Sequence, residues 1–182
     1  PNSYHSYGVF SIMSELRTNR IIPRDGLTSG TGIGGGIIQV KAVTYTTQDS
    51  ITNQNSFVSK GPSAVITPTR SDSKILIQYS VNGQNRTNSL HVLGRIVKTI
   101  GGTQSTVQDL GLISFGTSAH DQIEYITGSL LDSPSTTSAV TYNFQIRAAD
   151  GNTGTFYINY ADGVTGQVAT NASFMTLMEI SG

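Results

Sequence analysis

Four constellations in the chain carry residue types that do chemistry elsewhere. Gly30-Thr31-Gly32-Ile33-Gly34-Gly35 formally matches the glycine fingerprint that cradles a dinucleotide pyrophosphate. That fingerprint works only after a strand and at the start of a helix, whose first amides hold the phosphates. Here the run precedes a strand pattern beginning at Ile37, so it reads as a linker and implies no cofactor. Ser118, His120 and Asp121 are the types of a nucleophilic triad. Near-adjacent residues on one loop cannot converge as a triad requires, and no strand–turn–helix elbow surrounds the serine. Asp109, Asp121, Glu124 and Asp132 offer the carboxylates that a glycosidase uses in pairs. Their closeness in sequence does not aim two of them at one bond, so each reads as a solvated loop carboxylate. His5, His91 and His120 show no metal-ligand spacing with each other or with carboxylates, so the expected metal sites are none. The sequons Asn85-Arg86-Thr87 and Asn171-Ala172-Ser173 have meaning only in an exported chain. The expectation is a chain that is not an enzyme.

The elements that would position any site are strands. Ile37 to Tyr45 alternates apolar and polar residues after Ile38, the pattern of a half-buried strand. In Lys74-Ile75-Leu76-Ile77-Gln78-Tyr79-Ser80-Val81 the alternation puts Ile75, Ile77, Tyr79 and Val81 on one face. Further strands are expected at residues 63–67, 90–100, 110–115, 122–131, 139–149, 154–160 and 173–180, with a bulge at Gly94. Asp150-Gly151-Asn152 predicts a hairpin between Tyr142-Asn143-Phe144-Gln145-Ile146 and Thr155-Phe156-Tyr157-Ile158-Asn159. No stretch keeps a 3.6-residue period. The predicted fold is all-β, an antiparallel β-sandwich or jelly roll with an extended N-terminal arm.

The arm is residues 1–36, ending in the Gly-rich linker, and the sandwich is residues 37–182. Leu16, Ile21 and Ile22 are too few to bury themselves, and Pro23 and Gly26 punctuate the segment. Such a segment orders against something else. With Arg17, Arg20 and Arg24 as charge-assisted donors, these six residues form the candidate docking arm.

Composition narrows the partners. Eleven basic and eleven acidic residues cancel in 182, and only 12% of the chain is charged. This gives no electrostatic footprint for nucleic acid. No apolar run approaches the roughly 20 residues of a membrane span, so membrane insertion is not expected. Residues 1–10 lack a basic, apolar leader, which predicts a chain made in the cytosol and released by assembly or lysis. With no cysteine, disulfides and thiolate metal sites are excluded.

Five stretches add a resemblance. Ser14-Glu15-Leu16-Arg17-Thr18-Asn19-Arg20-Ile21-Ile22-Pro23-Arg24-Asp25-Gly26-Leu27, followed by Gly35-Gly36-Ile37-Ile38-Gln39-Val40, resembles the start of a family of marine and cyanobacterial bacteriophage proteins. Ile66-Thr67-Pro68-Thr69-Arg70-Ser71-Asp72-Ser73-Lys74-Ile75-Leu76-Ile77 is similar to that family's most recognisable segment, and Leu131-Asp132-Ser133-Pro134-Ser135-Thr136-Thr137-Ser138-Ala139-Val140-Thr141-Tyr142 and the closing Met178-Glu179-Ile180 match it too. The resemblance spans residues 14–182, leaving 82–127 unaligned and residues 1–12 ahead of the usual start at Met13. It implies a fibre-like virion structural protein, either a fibre or a capsid decoration, with no catalytic motif to carry over. By likeness to phage fibres the expected assembly is a homotrimer in the virion, its arm docked into another virion protein of capsid or tail. The alternative function is a tail-fibre module that recognises a host-surface glycan, with the stretches 82–89 and 101–108 as its site. A polysaccharide hydrolase is the third reading.

Overall fold

The computed structural model describes residues 36–85, 90–114, 123–149, 151, 153–161 and 169–181. Chain contacts divide the protein into Pro1–Ile33 and Gly34–Gly182, and all described residues belong to the second unit. The six arm residues and the glycine run up to Gly35 therefore lie outside the described residues, as do Ser118, His120 and Asp121.

Twelve strands occur among the described residues, and no helix. They are β1 (Ile37–Tyr45), β2 (Asp49–Thr52), β3 (Val58–Ile66), β4 (Lys74–Asn85), β5 (Val92–Ile100), β6 (Thr103–Ser114), β7 (Ile123–Asp132), β8 (Val140–Ala148), β9 (Thr155–Ile158), β10 (Tyr160–Ala161), β11 (Ala169–Thr170) and β12 (Ser173–Ile180). Alternation sets the faces. In β4, Ile75, Ile77, Tyr79 and Val81 are all buried, as the pattern predicts. Across from them β8 turns Val140, Tyr142, Phe144, Ile146 and Ala148 inward, and Tyr79 meets Phe144 with ring centroids 6.0 Å apart. Tyr79 has room because its cross-strand partner is Gly128, whose missing side chain leaves space for the phenol.

Eight long strands make the sandwich. One sheet runs β1-β12-β4-β7 and the other β3-β8-β5-β6, every neighbour antiparallel. Numbered among the eight alone, these orders are 1-8-3-6 and 2-7-4-5, the double Greek key of a jelly roll. The first sheet is extended by β9, which pairs with Gly83–Asn85 at the end of β4, and by β2, which pairs with β9, while β10 and β11 pair separately.

This winding sorts the connections. At one end, here the base, lie Ile37, Lys74 and Ile180 in register, with the short links 67–73, 101–102 and 133–139. At the other end, the tip, lie the strand ends Tyr45 and Ser173, Asn85 and Ile123, and Val92 and Ala148, together with the short strands β2 and β9. Both ends of the domain meet at the base, where the Ser181 amide donates to the Gly36 carbonyl at 3.5 Å.

The model corrects several strand expectations. The β8–β9 hairpin does not form: β8 sits in one sheet and β9 in the other, paired with β2 and β4. Gly151 does turn the chain with a φ of 76°, but as a crossover between sheets. Burial decides this, because Phe156 and Ile158 reach the core over Gly83, where any side chain would strike the Phe156 ring. The strand expected at 63–67 begins five residues earlier, across a register shift at Gly61 and Pro62. The one expected at 110–115 begins at Thr103 as an exposed polar edge, and β2 has no periodic signal at all. The register shift between Gly94 and Arg95 matches the predicted bulge.

Candidate functional site

None of the catalytic constellations assembles among the described residues. Glu124 and Asp132 lie at opposite ends of β7, eight residues and about 26 Å apart, well beyond the roughly 5–9.5 Å of paired glycosidase carboxylates. Asp132 is committed to structure. Its oxygens accept from Lys98 Nζ at 2.8 and 2.9 Å, and the Tyr142 hydroxyl donates at 2.7 Å, so one carboxylate of β7 ties β5 and β8 of the opposite sheet. Burial, and then the hydrogen bond to Asp132 and its charge, push the Tyr142 phenol far above its usual range. Asp109 stands on the solvent face of β6, and His91 is half-buried with its carbonyl accepting from the Ala149 amide. No three His, Asp or Glu side chains converge as a metal site among the described residues. The expected glycan stretches also separate. Asn82 to Asn85 are buried in β4 at the tip, whereas Gly101 and Gly102 turn the chain at the base.

One outer surface is apolar. On the outer face of the first sheet, Val40, Met178, Leu76 and Leu131 stand in one register row across four strands. Val40 is 53% exposed and Leu131 52%, and Ile37 and Ile38 continue the patch at the base. The next rows, Ala42-Thr176-Gln78-Ser129 and Thr44-Phe174-Ser80-Thr127, hold no charge. The cause is local. A register shift between Ile37 and Gln39 sets the β1 alternation so that Val43 and Tyr45 pack on the core and Val40 faces out. The opposite sheet differs, with Arg95 and Arg147 over the Phe57 ring at 4.1 and 5.4 Å.

The base beneath the apolar row is locked by a buried acid. Glu179 is fully buried and accepts from Gln39 Nε2 at 2.6 Å, the Thr69 amide at 2.7 Å and the Thr69 hydroxyl at 2.8 Å. Burial alone would raise its pKa, but these donors outweigh that and hold it at about 2.

The tip carries an open pocket of about 260 Å³ bounded by Gln48, Asp49, Ser50, Tyr157 and Tyr160. The Tyr157 and Tyr160 rings lie 5.2 Å apart at 39°. Asp49 Oδ1 accepts from Lys60 Nζ at 2.7 Å and from the Ser50 amide at 2.8 Å, and the Tyr45 hydroxyl reaches Oδ2 at 3.3 Å. Burial pushes the Asp49 carboxyl up, and these donors more than offset it, leaving it below the ordinary range. Sequence reasoning missed this pocket. Its residues come from two distant segments, and β2, which joins them by pairing Ser50 with Tyr157, shows no pattern.

No family model matches the chain, and no curated protein matches it. Solved structures similar to it include the infectious bursal disease virus VP2 subviral particle, with TM-score 0.43, 12% identity, and coverage of 78% of this chain and 39% of that one. T=1 particles derived from the same virus give TM-score 0.44 and 11% identity over 78% and 38% of the two chains. A mutant VP2 protein in such particles gives 0.43 and 11% over 87% and 42%. The chain spans about two fifths of the length of these proteins. At such scores the likeness carries no function, and the jelly roll stands on the strand registers.

Proposed function

We propose that the chain is a virion structural protein of a bacteriophage, a fibre or capsid decoration whose jelly roll is displayed while its N-terminal arm docks into a neighbouring capsid or tail protein. The observation that carries this reading is the polarity of the domain. Gly36 and Ser181 meet at one end, beside an uncharged apolar row, and the short strands β2 and β9 with their tyrosine-lined pocket lie at the other. An attachment made through the base leaves the tip free. The phage-family resemblance of the arm and of the 66–77 segment supports the same assignment. The role is non-enzymatic, and the protein resides in the virion.

Self-association into a homotrimer belongs to this reading. An apolar side chain left in water forgoes roughly 1.5–3 kcal/mol relative to burial. Half-exposed Val40, Leu131, Ile37 and Ile38 therefore hold roughly 3–6 kcal/mol per copy in reserve. The outer face of the first sheet is the surface on which copies would meet. Deleting residues 1–34 is expected to leave a folded jelly roll that no longer enters particles. Normal incorporation of the truncated chain would remove the arm as anchor.

A further inference from the structure

We propose that the tip pocket formed by Tyr157, Tyr160, Gln48, Asp49 and Ser50 binds a neutral saccharide. A sugar ring presents an apolar C–H face and a rim of hydroxyls, so its site needs flat aromatic surface beside groups that both donate and accept. The pocket supplies both. Tyr157 and Tyr160 pack on each other and both line the pocket, giving aromatic surface on which a pyranose face can lie. Gln48 and Ser50 offer an amide and a hydroxyl, and Asp49 is an acceptor whose direction is fixed by Lys60 and the Ser50 amide. At about 260 Å³ the pocket falls below the roughly 300–1,000 Å³ of sites that enclose drug-sized ligands, which suits one ring held at the surface of a longer glycan.

Two other ligand classes fit less well. Tyrosines around a carboxylate also describe a cage for a quaternary ammonium. Such a cage needs its carboxylate charge, and here Lys60 compensates Asp49 at 2.7 Å. An acidic sugar would meet the Asp49 carboxylate, and Lys60 is already engaged with it. Position agrees with the chemistry. Pairing of β9 with β2 and with the end of β4 builds the pocket on hydrogen-bonded strands at the tip. The inference rests on the pocket and not on the particle. A protein that binds sugar but is absent from virions would break the proposed function and leave this one standing.

The test is a glycan microarray of neutral and acidic saccharides probed with the full chain, followed by titration of the best-bound free saccharide under nuclear magnetic resonance. Binding to at least one neutral saccharide is expected, weakened about tenfold or more by Tyr157→Ala and by Tyr160→Ala, and unchanged by Leu131→Ser at the base. No bound saccharide, a preference for acidic ones, tighter binding of tetramethylammonium, or tyrosine variants that bind as the parent does would each overturn it. Should a variant fail to fold, the ring resonances of the parent decide. Saccharide-induced shifts at Tyr157 and Tyr160 support the site, and shifts only elsewhere remove it.

Discussion

The base and the tip of this jelly roll solve the same problem, satisfying polar groups where strands end, with different chemistry. The base uses charge. Glu179 is buried under three donated hydrogen bonds, and Lys98 meets Asp132 with both side chains less than a fifth exposed. The tip relies mainly on neutral amides and hydroxyls, its Asp49–Lys60 pair at the pocket being more exposed than the ion pair of the base. Asn159, buried with a φ of 55°, donates from Nδ2 to the carbonyls of Tyr45 and Thr47, while the Ser173 hydroxyl donates to its Oδ1 at 2.6 Å and accepts from the Asn82 amide. Asn85 donates to the Leu90 carbonyl and the Ser114 hydroxyl. Charged locks suit short links that must hold one geometry, because removing one partner leaves a buried charge. Asparagines suit long connections. They substitute for backbone partners and tolerate left-handed φ.

The largest expected break in this contrast is Asp132→Ala. It strands the Lys98 ammonium and the Tyr142 hydroxyl between the sheets, and urea unfolding should show a loss of about 3–5 kcal/mol. Glu179→Gln comes next, at about 1.5–3 kcal/mol, because its new NH2 faces the Thr69 donors. At the tip, Asn159→Ala should cost about 1–3 kcal/mol by leaving the Tyr45 and Thr47 carbonyls short of a donor.

Acid separates the two ends further. The folded pKa of Glu179 is about 2 against an ordinary 4.5, a depressed value. Its stabilisation is therefore complete above about pH 4.5 and is lost as pH falls from there towards 2. Glu124, at the tip end of β7, runs the other way. Burial raises its pKa despite a bond from Ser114, and its Oε2 is buried without a partner. Its ionised form is a cost at neutral pH that protonation relieves. Hydrogen exchange should show the base ends of β4 and β12 losing protection first on acidification. Glu124→Gln should raise stability at pH 7 and change little at pH 3. The smallest effect is expected at the pocket rim, where Tyr160→Ala should stay within about 0.5 kcal/mol in unfolding while saccharide binding falls.

Legibility in the sequence follows the same division. The central strands were readable because one alternating face is buried, as at Ile75, Ile77, Tyr79 and Val81. The class and the strand-rich sandwich followed from those. The tip was not readable. Its β2 is four residues long, β9 joins the sheet opposite to β8, and the asparagines that hold it resemble ordinary turn residues until Asn159 is seen buried between Tyr45 and Ser173. Glu179 likewise gave no signal, because an acid in an apolar strand announces burial only when its donors, Gln39 and Thr69, arrive from 140 and 110 residues away. The arm residues Leu16, Arg17, Arg20, Ile21, Ile22 and Arg24 lie outside the described residues, so their docking role rests on the sequence and the proposed function.

The proposed attachment through the base is tested most directly by imaging the particle. On the proposed function, electron cryomicroscopy of purified virions of the source virus should locate this chain on the particle surface, with the end bearing Gly36 and Ser181 against its neighbour and the end bearing Gly151 and Tyr160 in solvent. Particles that lack the chain, or that hold it with Gly151 buried and Gly36 outermost, would contradict the account.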